Sequence, residues 1–198
     1  LDCLPARQFV RGEDKKWHER RIGAQGGQLI WGVDQESTGK LADAPEGQDA
    51  FELQTGLETF ALSLATHVKN GHKLRALGID YGPDDKVPED TLRAYSDGRQ
   101  IDPLESPGGS DLTVDVDFGA LKRHALNAGL IVHGAKTQGE FLLALGAEAR
   151  MQQLVQDNPD RAEEIFRRAK RLVDPADMGS RFKVMCFSIT LAPITTDA

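Results

Sequence analysis

Three apolar runs, each arriving after a stretch of helical periodicity, constrain this chain most. Leu74-Arg75-Ala76-Leu77-Gly78-Ile79-Asp80-Tyr81-Gly82 is nearly continuous in apolar residues and ends in an acid and a glycine, the pattern of a buried parallel strand. Ahead of it, Leu57, Phe60, Ala61, Leu64, Ala65 and Val68 recur at helical spacing behind Thr55-Gly56-Leu57-Glu58, which matches a capping box, and Asn70-Gly71 supplies a left-handed stop. Asp117 is placed to cap a helix carrying Phe118, Leu121, Ala125 and Leu126, with Asn127 and Gly129 ending it before a strand at Leu130-Ile131-Val132. A second capping box, Thr137-Gln138-Gly139-Glu140, opens a helix expected to run on through Met151 and Leu154. Asn158-Pro159 restarts the helical pattern, with Ile165, Phe166, Ala169 and Leu172 on one face, and Asp174-Pro175 stops it. The last run, Phe182-Lys183-Val184-Met185-Cys186-Phe187-Ser188-Ile189, is apolar on both faces from Val184 onward. This order of elements is that of an α/β protein.

Before the first helix, Gln8-Phe9-Val10, Trp17 to Ile22 and Leu29 to Val33 read as a small antiparallel meander, with Gly23-Ala24-Gln25-Gly26-Gly27 as its second turn. Residues 34–53 read as loop or weak strand, and 83–110 as a long Pro, Gly and Asp-rich connection with a short strand near Leu92 to Tyr95. The 198 residues, 39% hydrophobic and 28% charged, are those of one ordinary globular domain. A net charge of −7 argues against a nucleic-acid partner. The longest apolar stretch, 184–194, is too short to insert in a membrane. Cys3 and Cys186 form no CxxC pair, which suits a reducing cytoplasm. The chain starts without Met or a signal peptide and is expected to be cut from something longer.

The general catalytic motifs HExxH, GxSxG, the Walker lysine pattern and GxGxxG after a strand are absent from the sequence. Asp80-Tyr81-Gly82 lies where an apolar strand ends, the place where open α/β sheets bind ligands, and equally reads as a plain turn. Asp111, Thr113, Asp115 and Asp117 would share one face of a strand, so a Mg²⁺ or Ca²⁺ site is conceivable. Helix capping by Asp117 explains the pattern better, and no metal is expected. Arg167, Arg168, Lys170 and Arg171 read as a solvated helix face.

The order of the segments is more specific than any one of them. Leu1-Asp2-Cys3-Leu4-Pro5-Ala6-Arg7, Trp17-His18-Glu19-Arg20, Gly78 to Gly82, Thr91-Leu92-Arg93-Ala94-Tyr95, Asp102-Pro103-Leu104, Asp111-Leu112-Thr113, Val116-Asp117-Phe118, Thr137-Gln138 and Phe182-Lys183-Val184 resemble the MidA-like family from about residue 1 to about residue 188. These are class I S-adenosylmethionine-dependent methyltransferases, with a mitochondrial relative that methylates protein arginine in a complex I (NADH dehydrogenase) subunit during assembly. The resemblance implies that residues 1–198 are the C-terminal half of a Rossmann-like class I methyltransferase sheet within a single domain. Its visible strands would be strand five at Leu74 to Asp80, strand six at Leu130 to Val132 and an antiparallel strand seven at Phe182 to Ile189, with a β-meander and loop addition at about 8–53 and a helical insertion at about 137–173 before the last strand. It implies S-adenosyl-L-methionine as cofactor, with the glycine-rich cofactor loop outside this chain. It further implies Asp2 and Asp80 as catalytic acids of an acidic cleft, and Tyr81, Asp117 and Gln138 as substrate-binding residues. Asp115 stands where relatives commonly have His, so no base is carried over there. The partners implied are a protein substrate such as an NADH dehydrogenase subunit and a second copy of the chain, without membrane insertion. The place implied is the bacterial cytoplasm or the mitochondrial matrix. A non-catalytic assembly module that kept the methyltransferase fold is the alternative.

Overall fold

The computed structural model describes residues 1–39, 41, 44–69 and 73–188. The expected stop at Asn70-Gly71 and the last residue of the expected final strand, Ile189, lie outside the described residues. The chain divides into two compact units, one of Leu1–Ala61 with Pro83–His124, the other of Leu62–Gly82 with Ala125–Ala198.

The first unit is built on a four-stranded antiparallel sheet of β1 (Arg7–Arg11), β2 (Trp17–Gln25), β3 (Gln28–Val33) and β4 (Ala50–Leu53), ordered β3-β2-β1-β4. β2 is long enough to pair with β1 through Trp17 to Glu19 and with β3 through Arg20 to Gln25. Its hairpin turns at Gly26 and Gly27, with φ of +58° and +80°, because a two-residue turn with positive φ at both positions matches strand twist and excludes most side chains. Phe9 faces Phe51 across β1 and β4. Their rings stack at 5.0 Å, and Trp17 meets Phe51 edge-on at 4.8 Å. β4 falls in the stretch read as loop or weak strand. Its alternation is hidden because Glu52, a residue that rarely goes inside, is buried beside Phe51. The long connection after residue 83 contains a second sheet of β6 (Arg93–Ser96), β7 (Arg99–Ile101) and β8 (Asp111–Thr113), ordered β7-β6-β8.

Two helices border these strands in sequence: α1 (Gly56–Lys69), which buries Leu57 and Ala61, and α2 (Phe118–Asn127), which buries Phe118, Ala120 and Leu121. Asp117 caps α2 as its sequence position requires, its Oδ1 accepting from the Ala120 amide at 2.7 Å.

The second unit carries β5 (Arg75–Tyr81), β9 (Ile131–Thr137) and β10 (Phe182–Ser188), in the order β5-β10-β9 with β10 antiparallel to both neighbours. The antiparallel direction of β10 agrees with the expected last strand, and β5 and β9 run parallel to one another on either side of it. The expectation that 74–80 is buried is corrected. Among the described residues β5 pairs only with antiparallel β10, and Leu77 and Ile79 are half-exposed on one face. Met185 and Phe187 are buried from the neighbouring positions of β10. A strand apolar on both faces signals two faces suited to burial, and gives no partner direction.

β9 runs directly into α3 (Gln138–Ala144) through the capping box of Thr137 and Glu140. α3 stops at Leu145 rather than continuing, because Gly146 adopts φ +86° and starts α4 (Ala147–Asp157) in a new direction. After a 3₁₀ turn at Pro159–Arg161 come α5 (Ala162–Val173) and α6 (Met178–Arg181). Gly139 and Gly179 make the close approaches here. A Cβ on either would meet the Val173 carbonyl oxygen, at 2.6 Å and 2.2 Å respectively.

Candidate functional site

In the first unit, the segment ahead of β1 is pinned by backbone hydrogen bonds. The Val114 amide donates to the Asp2 carbonyl at 2.9 Å, and the Gly56 amide to the Pro5 carbonyl at 3.1 Å. Asp2 thereby lines a cleft of about 610 Å³ with Arg7, Glu19, Arg20, Trp31 and Thr113 among its walls. The acid deepest in that region is not available to a ligand. Glu19 is buried, receives Arg7 through both oxygens at 2.7 and 2.5 Å, and takes Arg21 at 2.8 Å. The Arg7 hydrogen bond holds its carboxyl below the usual glutamate range. Arg20 is likewise engaged, with Asp90 at 2.9 Å and its guanidinium 5.5 Å from the Trp31 ring centre.

Beside this cleft lies a buried polar chain that sequence reading missed. Glu52 Oε1 accepts from Gln8 Nε2 at 2.8 Å and from the Thr91 and Leu92 amides at 2.9 and 3.0 Å, while Oε2 takes the Thr91 hydroxyl. The Thr91 oxygen in turn accepts from the Asp115 amide, and Asp115 pairs with Arg93 at 3.3 Å. Burial pushes the Glu52 carboxyl above its ordinary value. No local motif marks this residue, since its donors lie up to 44 positions away.

Asp117 is buried and spends one oxygen on the α2 cap, and its amide donates to Gln54 Oε1 at 2.9 Å. Asp111 is exposed on β8, Asp115 faces Arg93, and Asp117 faces its own helix, so the three carboxylates have separate jobs. Among the described residues no group of three His, Cys, Asp or Glu could hold a metal ion.

In the second unit, Asp80 and Tyr81 come together at the carboxyl end of β5. Asp80 is buried and accepts from the Tyr81 amide at 2.9 Å. The Tyr81 ring packs edge-on against Phe182 at 5.6 Å, with the Arg181 guanidinium 5.2 Å from its centre. Lys183, the cross-strand neighbour of Asp80, donates to the Gly82 carbonyl at 3.2 Å and to the Ser180 carbonyl at 2.6 Å. Arg181, Phe182 and Lys183 were invisible as site residues because only the β10 register brings them to Tyr81. Gln138 is buried elsewhere in this unit, its Nε2 donating to the Leu172 carbonyl at the end of α5 at 2.8 Å.

The fold so built, with an antiparallel strand between two others of α/β type, is that of two solved structures from Burkholderia thailandensis. An uncharacterized protein matches with a TM-score of 0.79 at 24% identity, over 95% of this chain and 53% of that one. A second, crystallised bound to S-adenosyl-homocysteine, matches with a TM-score of 0.79 at 23% identity, over 96% and 51%.

Residues 1–136 match the family model described as "Putative S-adenosyl-L-methionine-dependent methyltransferase", and the chain belongs to that family. Among its relatives, the mitochondrial protein arginine methyltransferase NDUFAF7 homolog of Drosophila melanogaster is 42% identical over 93% of this chain, and that of Caenorhabditis elegans 39% over 92%. The corresponding protein of Danio rerio is 31% identical over 92%. In each case the chain spans 44% of the relative's length.

The described residues do not fit a cradle for the family's cofactor. The glycines at 26 and 27 close a β-hairpin, β5 runs into Gly82-Pro83 rather than a helix, and the first turn of α3 is already capped by Thr137. No described helix is long and apolar enough to cross a membrane.

Proposed function

We propose that this chain belongs to a protein arginine methyltransferase acting on an NADH dehydrogenase subunit in the mitochondrial matrix. The observation that carries the reading is the family match over residues 1–136, supported by mitochondrial relatives that bear the arginine methyltransferase name. S-adenosyl-L-methionine supplies the methyl group in this family. The residues of this chain would act on the acceptor. A guanidinium is planar, permanently charged and shaped for two parallel hydrogen bonds to a carboxylate, which fix the nitrogen plane and hold charge away from the nitrogen left uncontacted.

Asp2, on the wall of the first unit's cleft, is proposed for that role. In the second unit Asp80 and Tyr81 are proposed as acid and ring at a strand's carboxyl end, where α/β sheets carry ligands. Asp117 and Gln138 are read as positioning residues, since each already holds a helix end. The test is methyl transfer from labelled S-adenosyl-L-methionine to arginine-containing polypeptide by the full-length protein. Asp2→Asn, which keeps shape and removes charge, is expected to lower turnover by about ten- to a hundredfold, the scale of one charged hydrogen bond. Unchanged turnover removes Asp2 from the reaction. Absence of both transfer and S-adenosyl-homocysteine binding in calorimetry favours the non-catalytic assembly module.

A further inference from the structure

The groove of about 690 Å³ between α4 and α5, which Phe166 helps to line, has most of its rim cations matched. Arg161 and Arg168 are held by Glu164, and Lys170 by Asp174. The cleft of the first unit differs, because a carboxylate proposed to receive a guanidinium stands there among apolar walls. Its own cations are matched as well. Arg7 and Arg21 pair with Glu19, and Arg20 meets both oxygens of Asp90 at 2.9 and 3.2 Å. What this cleft offers a ligand beside Asp2 is therefore mainly apolar.

Ile22 and Trp31 are direct cross-strand partners on β2 and β3, so their side chains stand side by side on one face of the ribbon. Leu112 of β8 lines the same cleft from another wall. Ile22 is 56% exposed, Leu112 49% and Trp31 38%, and large apolar side chains gathered in the open mark a surface that takes a ligand. The Trp31 ring is also set in advance. The Arg20 guanidinium lies 5.5 Å from its centre and is itself fixed by Asp90, so little ordering is left for a ligand to impose.

The spacing suits an extended polypeptide. The Val114 amide pins the Asp2 carbonyl at 2.9 Å, and Leu112 lies two residues before Val114. Two residues of extended chain cover about 7 Å, and in an extended ligand side chains two positions apart point to one side with that same separation. A segment whose arginine reaches Asp2 thus carries the residues two positions away toward these apolar walls.

We propose, on the reading that Asp2 receives the guanidinium, that this cleft binds an extended segment of substrate protein in which the target arginine has a large apolar residue two positions away. Ile22, Trp31 and Leu112 are its specificity-determining residues.

Three labelled peptides test it by fluorescence anisotropy with the full-length protein, centred on Leu-Gly-Arg-Gly-Leu, Ser-Gly-Arg-Gly-Ser and Leu-Gly-Gln-Gly-Leu. The first is expected to bind about tenfold more tightly than the second, the scale of burying an apolar side chain in a partly open site, and more tightly than the third. Ile22→Ser with Trp31→Ser, both on an exposed ribbon, is expected to bring the first two peptides to equal affinity, with circular dichroism confirming the fold. A merely structural loss would weaken both alike and keep their ratio. Should that variant unfold, Leu112→Ser decides, and is expected to shrink the preference. Equal affinity of the parent protein for the first two peptides overturns the proposal. So does a preference that the folded variant keeps in full, equal affinity for the arginine and glutamine peptides, or binding of none of the three. Methyl transfer to the first peptide is measured separately: its absence refutes the methyltransferase reading, while the pattern of affinities still decides the cleft.

Discussion

The two units place charge and apolar surface differently. The first buries charge: Glu19, Glu52, Asp115 and Asp117 are all inside, each matched to donors from other parts of the chain. The second leaves apolar surface outside on helices as well as strands: Leu77, Ile79, Leu143 and Phe166 are half-exposed and α4 and α5 bury nothing, whereas the exposed large apolar residues of the first, Ile22 and Val33 among them, lie on strands. In the first unit, then, a polar residue is more often scaffold than chemistry, because a buried carboxylate must be fully hydrogen-bonded to be tolerated. In the second, an apolar residue is more often surface than core, and it points to something that covers it.

Removing the hub of the first unit should break this contrast most severely. Glu52→Ala leaves the Thr91 and Leu92 amides without their acceptor, and a loss of about 3 kcal/mol in urea unfolding is expected, since each buried orphan donor costs about 1–3 kcal/mol. A loss under about 1 kcal/mol would mean that the polar chain is not what holds these strands. Glu52→Gln sharpens the point through pH. Burial raises the folded-state pKa of Glu52, so the stability it contributes is present below the unfolded value of about 4.3 and is lost as pH rises through the folded one. The urea midpoint of Glu52→Gln should therefore gain on that of the parent as pH climbs from about 4.

In the second unit the largest effect is expected from backbone contact rather than from side chains. Gly179→Ala drives a Cβ to 2.2 Å from the Val173 carbonyl and 2.7 Å from that of Asp174. A cost of about 2 kcal/mol is expected for such overpacking, seen as hydrogen-exchange protection lost first in α3, α5 and α6. The smallest effect is expected at the groove. Phe166→Ser removes a large side chain from a position more than half exposed, so stability should stay within about 0.5 kcal/mol. A larger loss would show that the groove is a core in solution.

Local signals survived into the structure wherever local bonds make them. The capping box at Thr137, the Asp117 cap and the periodicity of α2 and α5 depend on residues within four positions of one another, so the sequence carries them whole. The break at Gly146 went unread because a glycine inside an apolar helical pattern is compatible with both continuation and a left-handed turn. β4 and the β6-β7-β8 sheet were largely hidden, since short strands gain their hydrogen bonds from partners far along the chain. For the candidate site, Asp2, Asp80 and Tyr81 were legible as strand-end polar residues, whereas the Arg181, Phe182 and Lys183 surroundings of Tyr81 came from the β10 register alone.

By itself, then, the sequence determined the order of the main elements, the starts of α1, α2 and α3 and the α/β class, because these follow from periodicity and from side chains reaching their own backbone. Tertiary structure decided the register in which β10 pairs with β5 and β9, that Glu52 goes inside, and that α4 and α5 stay open. Those outcomes rest on pairings between residues distant in sequence, where the free energy of burial belongs to both partners and neither segment carries it alone.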